Sequence, residues 1–268
     1  MSDFQKKLIE MFKWLTEFLH KHKLRYYMIA GTLLGAIRHG GIIPWDDDID
    51  IAMPRDDYDK LLKLLEKPVE HYVVESCSGQ AKDYIYPFAK FYDTDTTMTE
   101  FLRKSVTRGV YIDIFPLDGV GESAEDALKF FKKIDRANML LSMKVCAYRK
   151  DRKWWKNIAV FIGGLLPINA KKQTVRVDEL CRRRKYSDYD YVMHTTSTYR
   201  AREIMKKEIY GEPTPYQFEG FTVYGPEKAE EYLTKIYGDW RKLPPEDKRH
   251  SAHDFVGVNL NKSYLDKD

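Results

Sequence analysis

Apolar positions along this chain follow two periods, and the switches between them mark out its elements. Over residues 3 to 22, Leu8, Met11, Phe12, Leu15, Phe18 and Leu19 fall three or four apart, which predicts an opening amphipathic helix. The apolar run from Tyr26 to Ala30 reads as a strand ending at Gly31-Thr32, and Leu33 to His39 as a brief helix stopped by Gly40 and Gly41. A second helix, over 55–67, collects Leu61, Leu62 and Leu65 on one face. Residues 71–76, 86–93 and 109–115 read as strands between polar or glycine-containing turns. Ser123 and Asp126 then open a long helix to about Lys150, with Ala127, Phe131, Ile134, Leu141 and Val145 on one stripe. A helix over 174–184 ends in the basic run Arg182–Lys185. Beyond it, 220–225 reads as a strand and Pro226 to Gly238 as a helix. Strands crowd the first 120 or so residues and helices dominate afterwards, so the pattern predicts a mixed α/β core with a helical remainder.

The length of 268 residues suits one large domain, or one domain with a helical extension. A formal charge of +4 is too mild to point to nucleic acid and suits a phosphate-bearing ligand or an anionic membrane equally well. Cys77, Cys146 and Cys181 lie far apart with no zinc-ligand spacing, which argues against both a disulfide framework and a zinc site. No segment is long and apolar enough to span a bilayer and the start lacks the pattern of a signal peptide, so a cytoplasmic location is expected. One stretch, Lys153 to Lys172, sets an apolar centre from Ile158 to Ile168 between lysines and a Trp pair. It reads either as a segment lying on a membrane surface or as a buried helix–loop corner broken at Gly163-Gly164 and Pro167.

The chemistry concentrates in the stretch Gly41 to Asp59, where Asp46, Asp47, Asp48 and Asp50 fall within five positions. Alternation along a strand puts Asp48 and Asp50 on one face with Ile49 and Ile51 in the core. Two same-face carboxylates repel unless a cation sits between them, and an all-oxygen set on a rigid strand favours Mg²⁺ or Mn²⁺. Asp113 repeats the pattern between Ile112 and Ile114, and a third carboxylate would suffice for one or two metal ions clamping a phosphoryl centre. Upstream, Gly31 allows close approach, Thr32 offers a hydroxyl where an N-cap would sit, and Arg38 follows on the helix, the make-up of a phosphate cradle. A Gly-Thr turn, an Asp-x-Asp pair or an edge-strand aspartate is each common as a structural feature. Their succession in one chain is what points to chemistry.

That succession is similar to the nucleotidyltransferase superfamily. The stretches 31–58, 89–97, 111–120 and 232–249 resemble the LicD family of phosphocholine transferases, related to fukutin and fukutin-related protein. The resemblance implies a nucleotidyltransferase-like mixed β-sheet core flanked by helices, an α/β (α+β) fold. It would occupy residues 1–122, with a helical insertion over 123–190 that could face a membrane and a C-terminal region over 191–268 that packs back on the core. It implies metal-binding roles for Asp48, Asp50 and Asp113, and substrate-binding roles for Gly31, Thr32, Arg38 and Lys90. Asp46 and Asp47 match the same motif, orienting Arg38 or an outer water. His250 and His253 fall where such chains often end in a His pair, but their spacing gives them no role.

The activity implied is transfer of phosphocholine from CDP-choline, with Mg²⁺ or Mn²⁺, to a sugar hydroxyl of a cell-surface glycan or its lipid-linked precursor, of teichoic acid or lipopolysaccharide type. Transfer of ribitol or glycerol phosphate, or nucleotidyl transfer to a small molecule, would use the same acids. A glycan- or membrane-binding module without chemistry is the third reading. A trimethylammonium donor would seek an aromatic cage, and the chain has 19 Tyr and 5 Trp to supply one. For a lipid-linked acceptor, Trp154 to Leu166 would dock at the inner membrane face, helped by Lys153, Lys171, Lys172 and the Arg182–Lys185 run.

Overall fold

The computed structural model describes residues 1–194, 196–251 and 255–266. The first half runs α1 (Asp3–Lys21), β1 (Tyr27–Met28), α2 (Ala30–His39), β2 (Asp50–Pro54), α3 (Arg55–Leu64), β3 (Tyr72–Glu75), β4 (Ala89–Asp93), β5 (Thr97–Glu100), β6 (Val106–Arg108) and β7 (Tyr111–Gly121). Three helices follow, α4 (Ala124–Val145), α5 (Trp154–Leu165) and α6 (Ala170–Cys181). The remainder holds β8 (Tyr191–Met193), β9 (Met205–Lys206), α7 (Lys207–Tyr210), β10 (Thr214–Phe218), β11 (Phe221–Gly225), α8 (Ala229–Tyr237) and β12 (Phe255–Asn259). This is the α/β architecture expected from the sequence.

The main sheet has the order β1-β2-β7-β4-β3, with β2 and β7 parallel and the other pairs antiparallel. β7 is eleven residues long because it serves two neighbourhoods. Its first half pairs with β2 and β4, and its second half carries β8, with β9 beyond. The larger core lies under the first half, where α1 contributes Leu8, Met11, Phe12, Leu15 and Leu19 and α8 contributes Tyr232, Leu233 and Ile236. The smaller core gathers Val120, the stripe of α4 and Val177 and Cys181 of α6.

A buried ion cluster joins the two. Arg55, the first residue of α3, donates from Nε to Asp118 Oδ1 at 2.7 Å and from Nη1 to Asp178 Oδ1 at 2.8 Å. Arg182 donates to Asp178 at 2.6 Å and to Asp59 at 2.7 and 2.9 Å. The end of β2, the middle of β7 and α6 are thereby fixed to one another. Burial disfavours the Arg55 charge, and Asp118 and Asp178 more than offset it, so the guanidinium is held well above its ordinary pKa.

Several boundaries differ from the sequence pattern for visible reasons. α2 opens at Ala30, so Gly31 and Thr32 lie in its first turn, and Thr32 is not an N-cap; that place belongs to Ile29, which makes no side-chain cap. β2 begins at Asp50, leaving Asp48 just ahead of the strand. α4 stops at Val145, where Cys146 turns extended, and α6 starts early because the Asn169 side chain accepts from Lys172 N–H at 2.9 Å. A three-stranded sheet, β12-β5-β6, was not anticipated from the sequence.

Arg55→Ala leaves two buried carboxylates without their shared cation. The expected loss of unfolding free energy, read by urea denaturation, is about 3–5 kcal/mol; a loss under about 1 kcal/mol would show that the cluster does not hold the sheet to α6.

Candidate active site

Register brings the first three charged groups together. Asp50 of β2 lies opposite Asp113 of β7, and Asp113 lies opposite Lys90 of β4, so their side chains share one face of adjacent strands. Lys90 Nζ stands 3.0 Å from Asp113 Oδ1 and 3.5 Å from Glu100 Oε2. Its ammonium is boxed by rings, 3.2 Å from the Tyr111 centroid and 4.4 Å from that of Tyr86. Tyr86 and Tyr111 in turn donate to Glu100 Oε2 at 2.8 and 3.2 Å. With only 2 % of its side chain exposed, Lys90 is committed to Asp113 and Glu100, not held at an open phosphate pocket.

The like charges leave their mark on both acids. Burial, then the charges of Asp48, Asp113 and Asp46, hold the Asp50 carboxyl well above the usual carboxylate range, with Lys90 acting in the opposite direction. Burial pushes Asp113 up to about 6, against the pull of Lys90 and with smaller pushes from Glu100 and Asp48. Four carboxylates, Asp46, Asp48, Asp50 and Asp113, thus lie within electrostatic reach of one another.

Asp46, Asp47 and Asp48 form the approach to β2, each offering a carboxylate oxygen within 4.8 Å of the others, a spacing at which one cation could be held. Asp48 belongs to both groups: it is a member of this trio, and its charge reaches Asp50 and Asp113. Three elements pin the approach. Gln5, which closes the capping box of α1 with Ser2, donates from Nε2 to the Asp46 carbonyl at 2.9 Å. The tip of the β10–β11 hairpin supplies Glu219, whose carboxylate accepts from Ile42 N–H at 3.0 Å and whose own N–H donates to the Gly40 carbonyl at 2.9 Å. The Ser251 hydroxyl donates to the Asp47 carboxylate.

α2 meets the acids with its N-terminus. A Cβ on Gly31 would come within 2.7 Å of Asp46 Oδ2, so glycine is what lets that carboxylate lie against the helix start. The Thr32 hydroxyl accepts from Asp50 N–H at 2.8 Å, tying the helix to the first residue of β2. Ala30 holds φ at +46°, and its N–H donates to the Tyr232 hydroxyl at 3.4 Å. Tyr232 donates to buried Glu203 at 3.3 Å; Glu203 also accepts from Ser197 at 2.8 Å and faces His194 Nε2 at 3.1 Å. A buried polar chain from the C-terminal third therefore supports the strained entry to α2.

Gly31, Thr32, Asp46, Asp47, Asp48, Asp50, Asp113 and Lys90 are thus brought together. Arg38 is not with them: it sits seven residues along α2 from Gly31, roughly 10 Å down the axis, and donates to the Trp240 carbonyl at 2.8 Å instead of being oriented by the aspartates. His250 is exposed, its Nδ1 3.0 Å from the Ser251 carbonyl oxygen, and His253 lies outside the described residues. Sequence reasoning missed Glu100, Tyr86 and Tyr111 around Lys90. It also missed Tyr199 and Tyr237, whose rings meet edge-on 5.2 Å apart. Burial raises both phenols' pKa values; the charges of Asp46 and Asp50 add to this at Tyr237, and those of Asp46 and Asp48 at Tyr199, which puts the pair on the acid side of the site. Only the tyrosine-rich composition hinted at them.

Known proteins are similar to this chain in sequence. Residues 23–136 match the domain described as LicD/FKTN/FKRP, nucleotidyltransferase domain, a stretch that holds every acid of the site. The lipopolysaccharide cholinephosphotransferase LicD of Haemophilus influenzae is 31 % identical over 242 residues, 87 % of this chain and 88 % of that protein. Human ribitol 5-phosphate transferase FKRP is 42 % identical over 50 residues, 19 % of this chain and 10 % of that protein. With that identity sustained over nearly the whole of both chains, this protein belongs to the LicD family.

Proposed function

We propose that this protein is a metal-dependent transferase that moves phosphocholine from CDP-choline to a sugar hydroxyl of a surface glycan or its lipid-linked precursor. The observation that carries the reading is the face shared by Asp50 and Asp113 beside Asp48, in a chain whose similarity to a cholinephosphotransferase spans almost its full length. The residues suit Mg²⁺ or Mn²⁺: all the donors are carboxylate oxygens, and burial, with smaller pushes from neighbouring carboxylates, raises the Asp50 and Asp113 pKa values when no cation neutralises them. Asp48, Asp50 and Asp113 would hold the metal, with Asp46 and Asp47 close enough to share it. When bound, it would neutralise the donor diphosphate and the charge that develops on the leaving group.

The chain's own groups do the rest. The amides of Gly31 and Thr32, in a helical turn whose N–H groups have no intrahelical acceptor, face the anionic donor. The acceptor oxygen attacks the phosphorus that carries choline, the bond to CMP breaks, and the hydroxyl proton passes to a carboxylate. Asp113, with a pKa about 6 and Lys90 beside it, is suited to take that proton if it does not serve as a ligand. Tyr86 and Tyr111 are already filled by Lys90, so the partly buried pair Tyr199 and Tyr237, within reach of the Asp46 charge, is the aromatic surface assigned to a trimethylammonium group. The FKRP similarity supports a second reading, a ribitol phosphate donor handled by the same acids.

Calorimetric titration of CDP-choline with Mg²⁺, against CDP-ribitol, CDP-glycerol and CTP, separates these readings. CDP-choline is expected to bind selectively, and Asp48→Asn to weaken that binding and lower kcat by roughly 10³-fold. Selectivity for another CDP-alcohol would change the substrate, and no binding to any would leave a non-catalytic module. Tyr199→Ala is expected to raise KM for the choline donor roughly tenfold while leaving CDP binding unchanged; equal losses for CDP and CDP-choline would remove Tyr199 from the headgroup site.

The acids also set a pH dependence. A carboxyl raised from 3.8 to about 6 holds a proton in the fold that the unfolded chain has released, so metal-free stability falls as pH rises through that window and the full penalty stands at pH 7. The Asp50 carboxyl is shifted the same way, so Asp50→Asn is expected to stabilise the metal-free protein at pH 7.5 and to have little effect near pH 4. Mg²⁺ is expected to raise the wild-type melting temperature and not that of the variant. A variant less stable than wild type at pH 7.5 without metal would contradict this account.

A further inference from the structure

Helix α5 is docked the wrong way round for a core helix. Its inward face holds only Asn157, Val160 and Gly163, a single apolar side chain beside a polar and a bare position. Buried Asn157 donates to the Arg149 carbonyl at 2.8 Å, and Gly163 packs so close to α4 that a Cβ there would meet the Met143 carbonyl oxygen at 2.4 Å. Lys144 caps its C-terminus, donating to the carbonyls of Gly164 at 3.0 Å and Leu166 at 2.8 Å. The Arg103 guanidinium, next to β5, donates to the carbonyls of Lys144 and Val160 and so joins both helices.

The outward face carries the large apolar residues. Trp154, Trp155, Ile158, Phe161, Ile162 and Leu165 fall on one arc of the helix and are all exposed, with Trp154 at 73 %, Phe161 at 65 % and Leu165 at 71 %. Scattered exposed apolar residues are ordinary on a protein surface, but a contiguous helical face of six is not. Between Asp151 and Asp178 the chain's charge has one sign. From residue 152 to 177 the chain has Arg152, Lys153, Lys156, Lys171, Lys172 and Arg176 and no acid.

We propose that α5 is a membrane-docking helix that lies along an anionic lipid surface, with its apolar face in the acyl boundary and its neighbouring lysines among the headgroups. The charge pattern selects lipid over a second copy of this chain, since two such faces would bring like charges together. Among the described residues no helix is long and apolar enough to cross a membrane, so the proposed contact is interfacial. Of the cations first expected to help, Lys153 and Lys172 are exposed beside α5. Lys171 instead reaches the Ala81 carbonyl at 3.0 Å, and Arg182 and Arg184 are held by Asp59, Asp178 and Asp126, so these three are structural. The docking also has a consequence for the site. Arg103 lies three residues beyond Glu100, the carboxylate that faces Lys90, so the helix and the acids are joined through one short segment, and a lipid-linked acceptor would arrive beside the chemistry. The inference does not depend on which donor is used.

The test is co-sedimentation of the full chain with vesicles of phosphatidylcholine alone and with added phosphatidylglycerol, read together with tryptophan emission. Binding is expected to rise with the anionic fraction, to blue-shift the emission and to weaken with salt. The double variant Trp154→Glu/Phe161→Glu is expected to bind roughly tenfold or more weakly with unchanged circular dichroism and melting temperature. Asp48→Asn is expected to bind vesicles like wild type, so failure of the catalytic reading would leave this result standing. Absence of wild-type binding at every lipid composition would overturn the proposal. So would a wild-type dimer that the double variant converts to monomer without any vesicle binding, which would make the face a contact between copies.

Discussion

Parallel pairing of β2 with β7 places two carboxylates side by side, and much of the surrounding structure holds that arrangement against its own repulsion. Lys90 supplies the nearest positive charge and is kept there by Glu100 and two tyrosine rings. The Arg55 cluster ties the end of β2 to β7 just past their paired stretch, so the acids cannot separate by sliding one strand past the other. α1, α2 and the β10–β11 hairpin each bond the backbone leading into β2, through Gln5, Thr32 and Glu219. The site is a charged seam closed from several sides.

This arrangement runs against stability at neutral pH and with preorganisation. Electrostatic catalysis works best when charges are already in place, so that no reorganisation is needed as the reaction proceeds. A seam that is unfavourable empty becomes favourable when positive charge enters it. The same logic covers the backbone: Ala30 at φ +46° is held by Tyr232 and Glu203, and its strain sits at the helix end that faces the acids.

Much of the site could be read from the sequence because its signals are local. The alternation around Asp50, that around Asp113, the glycine at the start of a short helix and each apolar strand are each contained within a few residues, and the periods that mark them do not depend on the rest of the fold. The role of Thr32 could not be read, because a hydroxyl in a first turn looks like a cap until the donor it accepts from, the Asp50 amide, is placed 18 residues away. Lys90 could be found but not assigned, since its partners Glu100 and Asp113 come from two other strands. Tyr199 and Glu203 carried no pattern at all, and Tyr237 lay in a recognised stretch that gave it no role. Likewise, the lysine-flanked apolar stretch of α5 read equally well as buried or exposed, and only the inward placement of Asn157 and Gly163 decides its orientation.

The hairpin contact at Glu219 has a consequence for how the protein is made. A chain emerging from the ribosome presents its aspartates by residue 113, while Glu203, Glu219 and Tyr232, which brace α2 and the turn before the acids, are still to be synthesised. Contacts spanning 177 to 202 residues close late. The nascent protein therefore carries an unbraced cluster of acids until the hairpin and α8 emerge, and the braced arrangement of the acids arrives as one of the last events of folding.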